Sequence, residues 1–218
     1  MERDGAILMC VDSLRELALA VARRLVRRAL ERTKGDLRAV DFDHIADIVA
    51  LASNQVGHGR LQLPGVDVAR SFEWLRFACA GEAIHDYCVV PTVPGVVKLP
   101  GTGILLSLEL VEKAKTLAPP DCVYNREAGC IDWRSLSGPL EIRNWRPGDH
   151  YQPNGRGGEE KIKILFQQAR IPRWERSRWP VLTAGSAIVW TRQFGPAQRF
   201  AANSDSAVLL KIVEVSAP

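Results

Sequence analysis

The spacing of apolar residues changes near Arg60, and this change limits the possible folds more than any other feature of the sequence. Before Arg60, apolar residues recur every three or four positions, which is the spacing of amphipathic helices. After Arg60 they alternate with polar residues, which is typical of strands with one buried face. A chain of 218 residues is long enough for one large domain or two small ones. We therefore predict an α+β protein: an N-terminal helical domain with a few strands, then a mostly β domain with one or two helices.

Two helices are predicted in the first part of the chain. Ser13 and Glu16 have the S-x-x-E spacing of a capping box, in which two side chains satisfy backbone donors at a helix start. Gly35 can adopt the left-handed conformation that ends many helices, so we place the end of the first helix there. A second helix is expected to begin near Asp41 and to end before Asn54.

Strands are predicted to dominate the rest of the chain. Pro-Gly pairs at 64–65 and 100–101 lie between alternating segments, and each indicates a β-hairpin. One helix is expected in the sequence EKIKILFQQARI, with its buried side formed by Ile162, Leu165, Phe166 and Ala169. Strands are expected at 140–144, 181–183, 187–191 and 207–215.

The domain boundary is predicted near the two prolines of LAPPDC, residues 117–122, because prolines interrupt regular structure. We place it at 120/121, which gives domains 1–120 and 121–218. The five cysteines are widely spaced and form no C-x-x-C pair, so we expect buried small hydrophobic residues and no disulfide framework. No apolar run approaches the roughly 18–20 residues of a membrane helix, and the opening MERDGAILMC carries mixed charge. We expect a cytoplasmic protein without a membrane span.

Basic charge is concentrated in one segment. The chain carries a net charge of +4, but residues 141–200 hold 11 basic and 5 acidic side chains, whereas each of the other segments is close to neutral. Such a local excess favours a polyanionic partner, because neutralising phosphates releases counterions. The alternative is that these basic side chains form a solvated surface that keeps the protein soluble and binds no partner. In the first helix, Arg23, Arg24, Arg27 and Arg28 lie among acidic residues, and we interpret them as a solvated face in preference to an RNA contact.

The sequence RPGD, Arg146 to Asp149, predicts a β-turn. Pro147 fixes φ at the first central position, Gly148 permits positive φ at the second, and the Asp149 side chain can accept from nearby backbone amides. An acid–base pair of Asp149 and His150 is disfavoured, because adjacent side chains usually point apart.

Catalytic and metal-binding patterns are absent from the sequence. NGRGGEEK lacks the order of a phosphate loop, and no G-x-G-x-x-G or G-x-S-x-G occurs. The four histidines have no ligand spacing. We therefore predict no catalytic residue, no metal and no cofactor in this chain. The remaining signal is RIPRWERSRWP, which places arginines around two tryptophans. We expect Trp179 and Trp190 to fill the core, whereas Trp174 is a candidate to support an arginine.

Taken together, these segments resemble bacterial tRNA(Ile)-lysidine synthetase. The segment IRNWRPGDHYQPNGRGGEEKIKILFQQARIPRWERSRWPVLTAGSAIVW is similar to the family's C-terminal domain, with its R-P-G-D turn, K-x-K helix and I-V-W strand. Upstream, LRELALAVARRLVRRAL, DHIADIVAL and GRLQLPGVDVARSFEWL are similar to its middle, substrate-recognition domain. Two departures occur: His150 stands where the family usually has Arg, and Gly-Glu-Glu before Lys161 replaces a more basic run.

The resemblance implies a fold and a role. The C-terminal domain is expected to be a sandwich like one in the β subunit of phenylalanyl-tRNA synthetase. The family's ligase activates the wobble cytidine of a CAU anticodon with ATP, and lysine then displaces AMP. That chemistry belongs to an N-terminal ATP-pyrophosphatase domain with an S-G-G-x-D-S loop, which this sequence does not contain. The chain is thus expected to be the tRNA-binding part, either truncated or separately encoded, and inactive alone. ATP and lysine are assigned to the N-terminal domain.

The resemblance also supplies candidate site residues and partners. The expected partners are tRNA(Ile) and a catalytic ATP-pyrophosphatase domain, in cis or in trans, with a homodimer left open. The alternative is a protein-interaction module that docks onto a separate catalytic subunit. Arg143 and Arg146 have a second interpretation, in which they stabilise their own turn and sheet and do not contact RNA. The basic positions that match the family, and that we predict to contact the tRNA backbone, are Arg143, Arg146, Lys161, Lys163, Arg173, Arg176 and Arg178.

Overall fold

The computed structural model describes residues 1–3, 5–81, 86–112 and 128–215, and the chain divides into two compact units, Met1–Ala83 and Ile84–Pro218. The division differs from the boundary expected at 120/121, which lies outside the described residues. Its cause is long-range pairing: the strand at 105–112 pairs along its whole length with the last strand of the chain, so it belongs to the second unit. Proline-rich sequence between two strands does not reveal which partner each strand will take.

The first unit is an antiparallel sheet with helices packed against it. The sheet order is β1-β2-β5-β4-β3, and its core includes Val26, Ile48, Val68 and Phe77 from the helices and strands. Its elements are β1 Glu2–Arg3, β2 Ala6–Cys10, α1 Val11–Arg15, α2 Leu19–Lys34, α3 Phe42–Ser53, β3 His58–Leu63, β4 Val66–Ser71 and β5 Trp74–Cys79.

The predicted start of the first helix is wrong, and its predicted end is confirmed. Ser13 lies inside α1, a single short helix, so its side chain caps nothing. α2 then begins separately, with Ala18 in an extended conformation as its N-cap. At the other end Gly35 has φ 90°, and its N–H donates to the Glu31 carbonyl oxygen at 2.8 Å. The β3–β4 hairpin at Gly65 is also as predicted.

α3 begins with a reciprocal cap. Asp41 Oδ1 accepts from the His44 N–H at 2.9 Å, while His44 Nδ1 accepts from the Asp41 N–H at 3.2 Å. The helix start expected near Asp41 is therefore confirmed, with His in the place that Glu or Gln usually takes.

We expect Asp41→Ala to lower the free energy of unfolding of the first unit by about 1 kcal/mol, because the His44 N–H at the start of α3 loses its acceptor. Urea unfolding followed by far-UV circular dichroism measures this, since three of the five described helices lie in that unit. Asp47→Ala is the matched control, because Asp47 is exposed within the same helix and is not a cap. Equal midpoints for the two variants would contradict the assigned cap.

The second unit contains two main sheets around one core. One sheet has the order β15-β14-β13-β10-β6 and the other β7-β8-β16-β9, and a hairpin pairs β11 with β12. Both sheets and α4 contribute to one cluster of buried residues, so the expected β-rich sandwich is confirmed. The elements are β6 Cys88–Val89, β7 Gly95–Lys98, β8 Leu105–Glu112, β9 Ala128–Asp132, a 3-10 turn Trp133–Ser135, β10 Leu140–Asn144, β11 His150–Tyr151, β12 Glu160–Lys161, α4 Ile162–Gln168, α5 Arg173–Arg176, β13 Pro180–Ala184, β14 Ala187–Thr191, β15 Gly195–Pro196 and β16 Val208–Val215.

The predicted core of the second unit is largely confirmed. Ile162, Leu165 and Phe166 of α4 are fully buried, and Ala169 just beyond the helix is half-buried. Trp179 and Trp190, expected to fill the core, are 2% and 3% exposed.

The expectation for the cysteines is wrong in part. Cys79 and Cys88 are exposed free thiols, because each lies at the edge of its unit's core where a strand reaches solvent. Cys130 takes part in a disulfide. Cys122 lies outside the described residues. No helix within the described ranges is both long and apolar enough to cross a bilayer.

Candidate nucleic-acid interface

The RPGD sequence forms the predicted turn. The Asp149 N–H donates to the Arg146 carbonyl oxygen at 3.1 Å, and Gly148 has φ 99°. Positive φ at this position is what a type II turn requires, and glycine adopts it without strain. The Asp149 carboxylate also accepts from the Arg146 N–H at 2.8 Å, so the aspartate closes the turn from within.

Arg143 forms a bidentate ion pair with Asp149. Its two terminal nitrogens donate to the two carboxylate oxygens at 2.8 and 2.9 Å. The side chains are only 13% and 12% exposed, so the pair is largely withdrawn from water. Arg143 also donates to the Asn144 carbonyl oxygen at 3.1 Å. These contacts make Arg143 a brace between β10 and the turn, while its contact with RNA stays a prediction.

The turn lies directly against the start of α4. The Ile162 N–H donates to the Asp149 carbonyl oxygen at 3.0 Å, and His150 pairs with Lys161 in the β11–β12 hairpin. This arrangement brings together Arg146, Lys161 and Lys163, which are all exposed. Within the part of the chain that the structure describes, none of these three side chains has a hydrogen bond or an ion pair. We refer to them as the turn–helix cations.

The remaining predicted cations surround α5 and are held more closely. Arg176 donates twice to the Ile171 carbonyl oxygen, from Nε at 2.9 Å and Nη2 at 2.7 Å. Its guanidinium lies 5.6 Å from the Phe166 ring centroid. Burial, and then the neighbouring Arg173, lowers the pKa of Arg176, although a guanidinium stays cationic at neutral pH. Arg173 is exposed and Arg178 is half-buried, and both engage other residues. Some of the seven predicted RNA-binding residues are thus engaged in contacts within the protein.

An aromatic cluster fixes α4 under this surface. Phe166 meets Trp145 and Trp179 edge to face, with ring centroids 5.2 and 5.3 Å apart, and Phe194 lies 6.0 Å from Trp179. Such packing supports the helix that carries Lys163. Trp179 also contacts a cation, but the cation is Arg192, which is bidentate to Glu214 at 2.7 Å.

A groove of about 480 Å³ is lined in part by residues of the turn. It is lined by residues of both charges, including Arg143, Asp149, His150, Glu159 and Arg199. His150 Nε2 lies 3.5 Å from a Glu159 oxygen, so the groove is less suited to a polyanion than the turn–helix cations are. Arg199 is exposed, and its only signal in the sequence is its place in FGPAQRF. No three His, Cys, Asp or Glu side chains within the described ranges form a metal-binding group.

Comparisons with known proteins agree with the layout of the two units. A family model described as the TilS substrate binding domain matches residues 9–76, and one described as the TilS substrate C-terminal domain matches residues 140–212. The chain is 57% identical, over 98% of its length, to a tRNA(Ile)-lysidine synthase of Solibacter usitatus. It carries two domains of the tRNA(Ile)-lysidine synthase family.

Other members of the tRNA(Ile)-lysidine synthase family agree with this assignment. The chain is 33% identical, over 97% of its length, to the tRNA(Ile)-lysidine synthase of Geobacter sulfurreducens. It covers 48% of the Solibacter protein and 44% of the Geobacter protein, so it spans about half the length of these relatives. A crystal structure of a TilS C-terminal domain superposes with a TM-score of 0.53 at 29% identity, covering 62% of this chain and 99% of that one.

The matched ranges place the predicted residues within named synthase domains. All seven predicted RNA-binding residues fall inside the C-terminal domain match. The substrate-binding match contains α1, α2 and α3, which carry none of them. A second set of exposed arginines, Arg24, Arg27 and Arg28, lies on α2.

Proposed function

We propose that this chain is the tRNA-binding portion of a tRNA(Ile)-lysidine synthase. In this role it holds tRNA(Ile) with a CAU anticodon while a separate ATP-pyrophosphatase domain adds lysine to the wobble cytidine. The observation that carries the proposal is the joint match to a substrate-binding and a C-terminal domain of one family, with three unpaired cations exposed in the second. Cytoplasmic location belongs to the same proposal.

The turn–helix cations suit a phosphate backbone. Three positive side chains project from a turn and a helix start that Asp149 ties together. Phosphate contacts of this kind fix the register and orientation of a nucleic acid and read little of its sequence. Because Arg143 and the aromatic cluster hold the turn and α4 in place, little conformational entropy is lost when RNA binds.

ATP and lysine are assigned to the catalytic domain. The sequence contains no S-G-G-x-D-S loop or other phosphate-binding motif. In this proposal ATP and lysine bind outside this chain, and none of its side chains takes part in the chemical steps. Its contribution to the reaction is positional, and the chain alone is expected to form no lysidine.

Binding of a CAU-anticodon tRNA transcript is expected to be strongly salt-dependent. If the chain makes several phosphate contacts, raising the salt concentration from about 50 to 200 mM should lower the affinity by on the order of a hundredfold or more. The reason is that counterions released on binding enter a more concentrated solution, so their release gains less entropy. Fluorescence anisotropy with labelled tRNA at a series of salt concentrations measures the slope. Equal retention of tRNA at the two concentrations would contradict the proposal.

A docking module for a catalytic subunit is the second candidate. It is favoured by the length comparison, since about half of each relative has no counterpart in this chain. Charge reversal at Lys161, Lys163 and Arg173 separates the two candidates. Loss of tRNA binding supports the first candidate, and loss of binding to the purified catalytic domain, with tRNA binding intact, supports the second.

A further inference from the structure

The first unit segregates its charges although it is neutral as a whole. Residues 1–83 contain 12 basic and 12 acidic side chains. α2 alone contains six basic residues and one acidic residue, Glu31. The acidic residues lie elsewhere, for example Asp41, Asp43 and Asp47 at and within α3. The acidic neighbours on which the interpretation of a solvated face depended therefore lie mostly outside α2, and that interpretation stays untested.

Three of the α2 arginines are exposed and unpaired. Arg24, Arg27 and Arg28 have the i, i+3, i+4 spacing that puts side chains on one face of a helix. Among the residues that the structure describes, none of the three has an ion pair or a hydrogen bond, even though Glu31 is within helical reach. Together with Glu31 and Arg32 they line an open depression of about 540 Å³. Like charges crowded in this way repel one another, and a bound polyanion relieves that repulsion.

An exposed aromatic ring lies against Arg23, another arginine of α2. Phe42 is 60% exposed, and the Arg23 guanidinium lies 4.7 Å from its ring centroid. The buried Nε of Arg23 has no partner in the described residues. An exposed ring backed by a cation, on the unit that also carries free arginines, is a combination found where single-stranded bases stack and phosphates are neutralised.

We infer that the arginine face of α2, formed by Arg24, Arg27 and Arg28, is a second RNA-binding surface. It contacts phosphates of the same RNA that the turn–helix cations hold. The inference rests on the proposed function for its ligand, but on a different unit of the chain for its residues. It also gives the substrate-binding domain match a physical basis in named side chains.

Opposite charge changes on this face test the inference. Arg24→Glu/Arg27→Glu is expected to weaken binding of the CAU tRNA transcript about tenfold or more at ~150 mM salt and to lower the salt slope by about 2. Glu31→Arg is expected to strengthen binding, because it removes the one acidic side chain of the depression. Arg38→Glu/Lys98→Glu, a pair of exposed positions outside α2 with the same change in charge, is the matched control and should have a much smaller effect.

Hydroxyl-radical footprinting distinguishes this surface from the first. The α2 variant should lose protection at one set of nucleotides, and Lys161→Glu/Lys163→Glu at a different set. The inference is overturned if the α2 variant binds tRNA with the affinity and slope of the control. It is also overturned if that variant keeps tRNA binding and loses only binding to phosphatidylserine vesicles or to an acidic protein. If Lys161→Glu/Lys163→Glu weakens binding while the α2 variant binds like the control, the proposed function stands and the α2 inference fails.

Discussion

Lys161→Glu/Lys163→Glu is expected to reduce tRNA binding by at least about tenfold at ~200 mM salt and to lower the salt slope by about 2. Both side chains are exposed and unpaired in the described part of the chain, so the free protein loses no internal contact. Only the complex is weakened, because two attractive phosphate contacts become repulsive. Fluorescence anisotropy across a salt series gives affinity and slope from one experiment.

The matched control for this experiment is Lys98→Glu/Arg134→Glu. Both residues are exposed in the same unit, on β7 and in the 3-10 turn, and the change in net charge is identical. A nonspecific effect of net charge would weaken both variants alike, and that result would contradict a localised surface. Arg146→Glu alone should weaken binding less, because it removes a single contact.

Asp149→Ala is expected to destabilise the second unit by about 3 kcal/mol, because it leaves the Arg143 guanidinium largely buried without its carboxylate. The variant also removes the acceptor for the Arg146 N–H that closes the turn. Arg143→Ala should have a cost of similar size, and the double variant should cost clearly less than the sum of the two. Five of the six tryptophans lie in the second unit, so tryptophan fluorescence during urea unfolding reports on that unit.

The Arg60–Asp67 pair is the control for this prediction. Its nitrogen–oxygen distance is 2.7 Å, but Arg60 is 62% exposed, so Arg60→Ala should cost less than about 1 kcal/mol. Asp149→Asn separates the two roles of Asp149, since an amide oxygen still accepts from Arg146 but carries no charge. If Arg143→Ala leaves the unfolding midpoint unchanged while tRNA binding falls, Arg143 is an RNA contact and not a brace.

Features of the fold could be predicted from the sequence where the conformation of a segment depends only on its own residues. β10 occupies 140–144 as predicted, and the α4 stripe is buried, because alternation and helical spacing each record which side faces the core. The Ser13 capping box failed because its residue types also occur inside helices. The 120/121 boundary depended on pairing between β8 and β16, about a hundred residues apart, and no local pattern records that choice.

The sequence predicts which basic residues the candidate site contains. It does not predict which of them are exposed and unpaired and which are engaged within the protein. The sequence predicts that Lys161 and Lys163 lie at the start of a helix; Lys161 is the N-cap of α4, Lys163 lies within it, and both are exposed. It does not show that Arg143 lies against a carboxylate six positions away, or that Arg176 folds back onto the Ile171 carbonyl oxygen. On α2, counting charges over 1–59 hid an excess that is visible only when the helix is taken by itself.

The central place of β16 has a consequence for how the protein is made on the ribosome. This last strand lies between β8 and β9, so the second unit cannot complete its sheet until Val215 has been synthesised. Every strand of the first unit is present by Cys79, so that unit can fold while the rest of the chain is still being translated. The α2 arginines can therefore reach their native arrangement while β16 is still being translated, whereas the sheet that β16 completes forms later.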